Sequence, residues 1–219
     1  MCGRYTVQID MIELHERFKV VLNEMYQQSS NCAPSEKLPV VTNQAPKEVN
    51  YYRWGLVPFW AKDLKIGFKM INARADTITD KKSFSVPLQK RRCLVLADSF
   101  YEWKRLDNKN KQPYRIRLQG GKPFAFAGIW EHNKELQVNS YSIITTDANE
   151  MVNQVHDRMP VILKQADEQR WLNENLDLQE AVDLLQPYPA EAMEMYPVNP
   201  AVGNARNKDP ELTQPWHGA

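Results

Sequence analysis

Apolar residues near the start of the chain follow a helical period and then give way to short runs typical of strands. Between Met11 and Met25 they recur at spacings of three and four, which predicts an amphipathic helix over 10–27 with Asp10 as its N-cap. Beyond this helix, runs rich in Val, Ile, Tyr, Phe and Trp predict strands. These runs lie at 38–42, 49–54, 93–103, 114–118, 124–130, 140–146 and 193–198.

Two further helices are predicted near the end of the chain, at 165–176 and 178–186, and turns at 109–112 and 119–122 connect neighbouring strands as hairpins. Consecutive strands with helices towards both ends indicate an α+β fold. We expect a single domain over 1–219, with a mostly antiparallel, barrel-like β-sheet core flanked by a few helices. Nucleotide-binding α/β folds are disfavoured, because the chain lacks a strand–helix alternation and a glycine-rich phosphate loop.

The composition is that of a globular protein, with 219 residues, 42% hydrophobic and 25% charged. No apolar run approaches the 20 or so residues that a membrane helix needs, and charged residues interrupt the N-terminus, so we expect a cytoplasmic protein that does not bind membranes. The cysteines Cys2, Cys32 and Cys93 have no CxxC spacing, and we therefore expect no metal, cofactor or disulfide framework. Cys93 lies in an apolar run and is interpreted as a buried core thiol.

The overall net charge of +1 conceals an uneven distribution. Residues 53–117 carry 16 basic and 6 acidic side chains, a net charge of +10, whereas residues 118–219 carry 7 basic and 15 acidic side chains, a net charge of −8. A basic middle segment favours a polyanionic partner. The alternative is a solvated face that the acidic C-terminal segment balances.

The N-terminal sequence Met1-Cys2-Gly3-Arg4 offers an unusual nucleophile. Removal of Met1 would leave Cys2 with a free α-amine beside its thiol, and both groups titrate near neutral pH, at about 8 and 8.5. Such an aminothiol condenses with an aldehyde to an imine, and the thiol then closes a thiazolidine ring. The alternative is an incidental cysteine at the second position.

An alternating segment, 70–76, places Asn72, Arg74 and Asp76 on one face if it is extended. The guanidinium of Arg74 suits phosphate. The same pattern also fits an ordinary half-buried strand.

Glu102 lies between aromatic residues on an otherwise apolar strand. A carboxylate there must be paired or have a raised pKa, and a raised pKa suits a general acid or base. A structural ion pair is the alternative.

His156 belongs to the compact polar motif His156-Asp157-Arg158-Met159-Pro160 and is the natural candidate for proton transfer. The other histidines are interpreted as surface residues. Aromatic residues such as Trp60, with Lys and Arg interleaved, could stack on unpaired bases, although buried aromatic residues would give the same pattern.

These motifs occur together and in a fixed order, and the ordered set strongly resembles the SOS-response-associated peptidase family, the abasic-site processing proteins. The resemblance covers about residues 2–212 and leaves 213–219 as a tail. It rests on Met1-Cys2-Gly3-Arg4, Asn31-Cys32-Ala33-Pro34, Trp54-Gly55-Leu56-Val57-Pro58, Ile71-Asn72-Ala73-Arg74, Phe100-Tyr101-Glu102-Trp103-Lys104, His156-Asp157-Arg158-Met159-Pro160 and Gly203-Asn204.

The resemblance implies a protein that binds single-stranded DNA and captures the ring-opened aldehyde of an abasic site as a thiazolidine crosslink, with weak lyase activity when ring closure fails. By position, Cys2 is the nucleophile, Asn72 lies beside the opened sugar, Glu102 shuttles protons, and His156 protonates the sugar or stabilises the imine. The DNA-binding residues implied are Arg4 and Arg74 for phosphates, with Pro34, Trp60 and Trp103 as walls or stacking surfaces.

Two alternatives remain open at this stage. One is a thiol peptidase that uses Cys2 and His156, including self-removal of Met1. The other is a non-catalytic module that binds single-stranded DNA. We expect a monomer in each case.

Overall fold

Five strands close into a barrel in the computed structural model, which describes residues 2–22 and 26–218. The strands pair in the ring order β3-β6-β9-β10-β4, and β4 returns to β3. All pairings in this ring are antiparallel except β4 with β10. Its strands are β3 (Lys37–Thr42), β4 (Ala45–Trp54), β6 (Arg92–Ala97), β9 (Phe124–Asn133) and β10 (Val138–Asp147).

Two short strands extend the barrel at the far end of β10. β5 (Asn72–Arg74) pairs with β10 in parallel, and β11 (Arg158–Pro160) pairs with it antiparallel. Thr145 of β10 is opposite both Arg74 and Pro160, so β5 and β11 flank the same part of β10.

A second, antiparallel sheet packs against the barrel in the order β12-β8-β7-β1-β2. Tyr5 of β1 joins the two layers, because its ring contacts Trp54 and Phe126 and its hydroxyl hydrogen-bonds that of Tyr141 at 2.8 Å. The strands of this sheet are β1 (Tyr5–Val7), β2 (Ser29–Cys32), β7 (Ser99–Arg105), β8 (Lys111–Leu118) and β12 (Met193–Pro197). The expected α+β class with a barrel-like, mostly antiparallel sheet is thus confirmed.

Four α-helices lie outside the sheets in the described part of the chain. They are α1 (Met11–Phe18), α2 (Lys82–Lys90), α3 (Gln165–Leu172) and α4 (Leu178–Asp183). None of the helices in the described residues is long and apolar enough to cross a membrane.

The first helix is shorter than the predicted range of 10–27. Asp10 caps it as predicted, accepting a hydrogen bond from the amide of Glu13, but the helix ends where Lys19 adopts a left-handed conformation (φ 55°). Val21 then forms a parallel bridge with Glu48. The β-branched residues Val20 and Val21 directly after Lys19 favour this extended path over another helical turn. Met25, the last apolar residue of the predicted helical pattern, lies outside the described residues.

The predicted strand 93–103 is in fact two strands in different sheets. They separate at Asp98, whose carboxylate accepts a hydrogen bond from the amide of Gln8 and forms an ion pair with Arg115. The predicted hairpin at 119–122 is also wrong, because β8 and β9 belong to different sheets and do not pair. Gly120 and Gly121, both with positive φ, carry the chain from one sheet to the other.

Two shorter segments also differ from expectation. Within 70–76, only Asn72–Arg74 forms a strand, and a 3₁₀ turn over Ala75–Thr77 follows it. Helix α2 was not predicted, because Pro87 lies inside it and its short run of polar and apolar residues carries no clear helical period.

Candidate active site

The N-terminal segment is held beside β7, the strand that carries Glu102. Tyr5 is opposite Phe100 and Thr6 is opposite Ser99, and the amide of Tyr101 donates a hydrogen bond to the carbonyl oxygen of Arg4 at 3.0 Å. Continuing this antiparallel register places residue 3 opposite residue 102. The burial of Tyr5 in the core fixes the segment, and Cys2 is consequently positioned close to Glu102.

Cys2 is fully buried and lies against Asn72. The Nδ2 atom of Asn72 donates a hydrogen bond of 2.8 Å to the carbonyl oxygen of Cys2 across 70 residues of sequence. The Oδ1 atom of Asn72 is buried and has no hydrogen-bond partner among the described residues. Asn72 therefore anchors the backbone of Cys2 and keeps an acceptor available inside the site.

Electrostatics link Cys2 to Glu102. Burial, and after it the negative charge of Glu102, raise the pKa of the Cys2 thiol well above its usual range. The thiol is therefore neutral in the free protein. A neutral thiol next to a carboxylate can transfer its proton to that carboxylate when it attacks.

Glu102 is 3% exposed, and burial raises the pKa of its carboxyl above the ordinary range, while the imidazole of His156 acts in the opposite direction. The interaction shows that His156 belongs to the same electrostatic cluster as Glu102. A carboxyl with a raised pKa can hold a proton nearer to neutral pH, as a general acid requires.

His156 lies in the short connection between the 3₁₀ turn Val152–Gln154 and β11. Its Nδ1 atom accepts a hydrogen bond from the amide of Arg158 at 3.0 Å and is 2.9 Å from a carboxylate oxygen of Asp157. These contacts fix the orientation of the His156 ring between the Arg158 backbone and the Asp157 carboxylate.

Arg74 is exposed beside this cluster and is held by Asp76. Its Nε and a terminal nitrogen donate to the two carboxylate oxygens of Asp76 at 3.0 and 2.5 Å. Asp76 is also 3.6 Å from Arg158, which pairs with Asp147 at 2.9 Å. Sequence analysis assigned no role to Arg158 or Asp147, although Arg158 lies in the same motif as His156.

Arg4 is engaged with a loop near the C-terminus. It donates to Oδ1 of Asn31 at 3.0 Å and to the carbonyl oxygens of Val202 and Gly203 at 3.2 and 3.4 Å. Asn31 is fully buried and in turn donates to three carbonyls of this loop, those of Val202, Asn204 and Asn207. The motifs around Arg4, Asn31 and Gly203 thus meet in space, and their shared contacts join the N-terminus to the loop.

The three predicted stacking residues lie in different environments. Trp60 is 53% exposed in the loop between β4 and β5, where Phe59 and Phe68 are also exposed. Pro34 is half-buried in the turn after β2. Trp103 is half-buried against the small apolar cluster of Tyr101, Val198, Val202 and Leu212.

The loop over residues 55–70, called here the aromatic loop, was only partly recognised from sequence. Phe59 and Phe68 are more exposed than Trp60, and the guanidinium of Arg53 lies 5.8 Å from the ring centre of Phe68. The signal that could have identified them is the alternation of aromatic residues with Lys62, Lys65 and Lys69.

Comparison with known proteins identifies the family of the chain. The sequence profile described as "SOS response associated peptidase (SRAP)" matches residues 1–205. The chain belongs to the SRAP family. Within the residues that the structure describes in this SRAP chain, no group of three His, Cys, Asp or Glu side chains is arranged to bind a metal ion.

Relatives of this SRAP chain carry names that describe abasic-site processing. It is 45% identical to "Abasic site processing protein YoqW" of Bacillus subtilis (strain 168), over 98% of this chain and 99% of that protein. It is 35% identical to "Abasic site processing protein HMCES" of Rattus norvegicus, over 88% of this chain and 66% of that protein. Among solved structures, a protein from Bacteroides thetaiotaomicron superposes with a TM-score of 0.88 at 29% identity, over 98% of this chain and all of that one.

Proposed function

We propose that this protein captures abasic sites in single-stranded DNA by forming a thiazolidine with the amine and thiol of an N-terminal Cys2. The observation that carries the proposal is that Asn72 binds the Cys2 backbone and Glu102 acts on the Cys2 thiol, while His156 in turn acts on Glu102. The names of the relatives support abasic-site processing as the general role.

In the first step, the Cys2 amine adds to the aldehyde of the ring-opened sugar. The carbinolamine then loses its hydroxyl as water and becomes a protonated imine. The carboxylic acid form of Glu102 supplies the proton that this departure needs and becomes a carboxylate, and burial, which raises the pKa of Glu102, favours the acid form beforehand.

In the second step, the Cys2 sulfur bonds to the carbon of the protonated imine, and the electron pair of the C=N double bond moves to the nitrogen, which keeps its proton and becomes a neutral amine. The thiol proton moves to the Glu102 carboxylate, which restores the carboxylic acid. Ring closure thus follows imine formation with no net change in oxidation state. We assign to His156 the protonation of the sugar ring oxygen during opening, since its contacts orient the ring and it belongs to the same electrostatic cluster as Glu102.

Ring closure protects the DNA strand. An imine activates the sugar for β-elimination and strand cleavage, and attack by sulfur removes that electron sink. We therefore expect Cys2→Ala, which keeps a free amine but has no sulfur, to form an imine that borohydride traps and to cleave the strand slowly.

A thiol peptidase is less well supported. Such an enzyme relies on a thiolate, which a lowered thiol pKa supplies. Here burial and Glu102 raise the pKa of Cys2 instead. The same feature suits a nucleophile that acts only after the amine has bound its substrate.

The decisive experiment combines a denaturing gel with intact mass measurement. Protein confirmed to begin at Cys2 is mixed with single-stranded DNA that carries one abasic site. We expect an adduct with the mass of protein plus DNA minus one water. Controls are undamaged DNA, a tetrahydrofuran analogue that has no aldehyde, protein with one residue added before Cys2, and Cys32→Ala, which removes another buried thiol.

An adduct that persists when the Cys2 amine is blocked would contradict the proposal, as would the absence of any adduct with the processed protein. Binding to DNA without an adduct would instead identify a non-catalytic single-strand-binding module.

A further inference from the structure

A cleft of about 520 Å³ lies beside the aromatic loop, where β9 and β10 turn into each other. We call it the Phe59 cleft, after the exposed ring that forms one wall. Its volume falls in the usual range for small-molecule sites. The residues that define it are Gln44, Phe59, Arg91, Trp130, His132 and Lys134.

The apolar walls of the cleft are rigidly supported. Trp130 is 5% exposed and donates a hydrogen bond from Nε1 to Oδ1 of Asn43. The backbone beside Phe59 is fixed by Asn133, a buried residue whose Nδ2 donates to the carbonyl oxygens of Pro58 and Ala61, each at 2.8 Å. Phe59 thus remains exposed on an anchored backbone.

The polar wall is an ion pair that is partly open to solvent. Arg91 donates to the carboxylate of Glu131 at 2.8 Å, and the other oxygen of Glu131 accepts from the amide of His132. The side chain of Arg91 is 22% exposed, whereas that of Glu131 is 7% exposed. A donor and an acceptor therefore lie side by side with little net charge, and the exposed Lys134 adds a cation at the rim.

An aromatic wall opposite paired donors and acceptors fits a nucleobase better than a simple anion. A base stacks through its π-face and hydrogen-bonds through its edge. An isolated phosphate would meet the carboxylate of Glu131, whereas an apolar peptide would leave the ion pair unsatisfied.

The cleft also lies close to the candidate active site. Glu131 is opposite Ser140 on β10, and Asn72 is opposite Ile143. The two positions are three residues apart on one strand, about 10 Å along its axis. The aromatic loop contributes Phe59 to the cleft and leads directly into β5, the strand that carries Asn72.

We propose that the Phe59 cleft is a binding site for an unpaired nucleobase of the same DNA strand, a short distance from the abasic site. This inference rests on the proposed function and adds a base-binding subsite to it. The base stacks on Phe59 and its edge faces the Arg91–Glu131 pair.

Photocrosslinking tests this assignment directly. Single-stranded DNA with a central tetrahydrofuran analogue carries one 5-iodouracil at each of the four positions on either side. After irradiation, modified peptides are identified by mass spectrometry. We expect adducts on Phe59, Trp130 or His132 from one or two adjacent positions on one side only.

The variant Gln44→Trp places a bulky side chain at the exposed rim and blocks the cleft without removing charge. We expect it to lower the yield of these adducts at least fivefold. Gln179→Trp, an equally exposed position on α4, is the matched control and should leave the yield unchanged. Capture of a true abasic site is measured in parallel for each protein.

Normal capture together with photoadducts that map elsewhere at every position would overturn the cleft assignment and leave the proposed function intact. An unchanged photoadduct yield with Gln44→Trp would do the same. Failure of the wild-type protein to bind or capture abasic DNA would instead overturn both.

Discussion

In the proposed mechanism, Glu102 serves the chemistry at the expense of stability. Its carboxyl is buried in the site, and burial raises its pKa. A carboxyl whose pKa is raised on folding binds a proton more tightly in the folded than in the unfolded state. The folded protein therefore loses stability as the pH rises through the pKa of Glu102 and the carboxylate forms. This carboxylate is the form that the second chemical step requires.

We expect Glu102→Gln to stabilise the fold at pH 7–8, because a neutral amide of the same shape avoids burial of a charge. The gain should disappear below about pH 4, where the carboxyl is protonated in both states. A gain of about 1 kcal/mol would raise the melting temperature by about 2–4 °C. Thermal melts across this pH range measure the effect, and a variant that is less stable at neutral pH would contradict it.

The same substitution should reduce the rate of adduct formation by about 10²- to 10⁴-fold, the range typical of a lost general acid or base. Single-turnover kinetics with abasic DNA measure this rate. Glu135→Gln, at an exposed position in the β9–β10 turn, is the control and should react at the wild-type rate.

Asn72 acts on the position of the nucleophile. Its hydrogen bond to the Cys2 carbonyl should fix the backbone from which the amine projects. We expect Asn72→Ala to slow adduct formation by about 10- to 100-fold through misplacement of the amine. Asn110→Ala, in an exposed turn, serves as the control. A wild-type single-turnover rate for Asn72→Ala would refute this role.

Among the structural elements, the aromatic loop is closed by a tight backbone contact. A Cβ atom added at Gly67 would lie 2.7 Å from the carbonyl oxygen of Gly55, which has a φ of 111°. The loop backbone is therefore fixed at its base while its aromatic side chains remain exposed. Such an arrangement presents stacking surfaces with little loss of entropy on binding.

We expect Trp60→Ala to weaken binding of single-stranded DNA by roughly 5- to 150-fold, corresponding to the loss of one base stack of about 1–3 kcal/mol. The melting temperature should stay nearly constant, because Trp60 is exposed. Fluorescence anisotropy measures the affinity. Leu106→Ala, exposed on the β7–β8 turn, is the control, and equal affinities for Trp60→Ala and this control would rule out stacking on Trp60.

At the scale of the whole molecule, the basic middle segment supplies both the aromatic loop and Arg74. An exposed arginine paired with an aspartate can exchange that partner for a phosphate of DNA. The affinity for DNA then falls as the salt concentration rises. Net charge alone does not distinguish this arrangement from a solvated face.

We expect Arg74→Ala to reduce the slope of log affinity against log salt concentration for single-stranded DNA by about 0.7, the value for one lost phosphate contact. Binding titrations at several salt concentrations give the slope. Arg170→Ala removes an exposed arginine that is likewise paired with an aspartate, and it should leave the slope unchanged. If both variants change the slope equally, Arg74 has no specific phosphate contact.

Much of the fold could be predicted from local pattern. Alternating apolar runs identified most of the strands of both sheets, and Asp10 marked the start of α1. The division of the predicted strand 93–103 shows a distant contact that overrides the pattern. Asp98 ends a strand because Gln8 and Arg115 bind its carboxylate, and neither residue is near it in sequence.

The sequence by itself determined the chemical groups: a cysteine directly after Met1, a carboxyl among aromatic residues, a histidine in a polar motif, and an ordered set of motifs typical of one family. Only the tertiary structure decided how these groups act on one another. It brought Asn72 to the carbonyl of Cys2, placed Glu102 near the thiol, and paired Arg74 with Asp76. The physical reason is that strand and helix periods are local properties, whereas a pKa and an ion pair depend on burial and on neighbours that the chain brings together only when it folds.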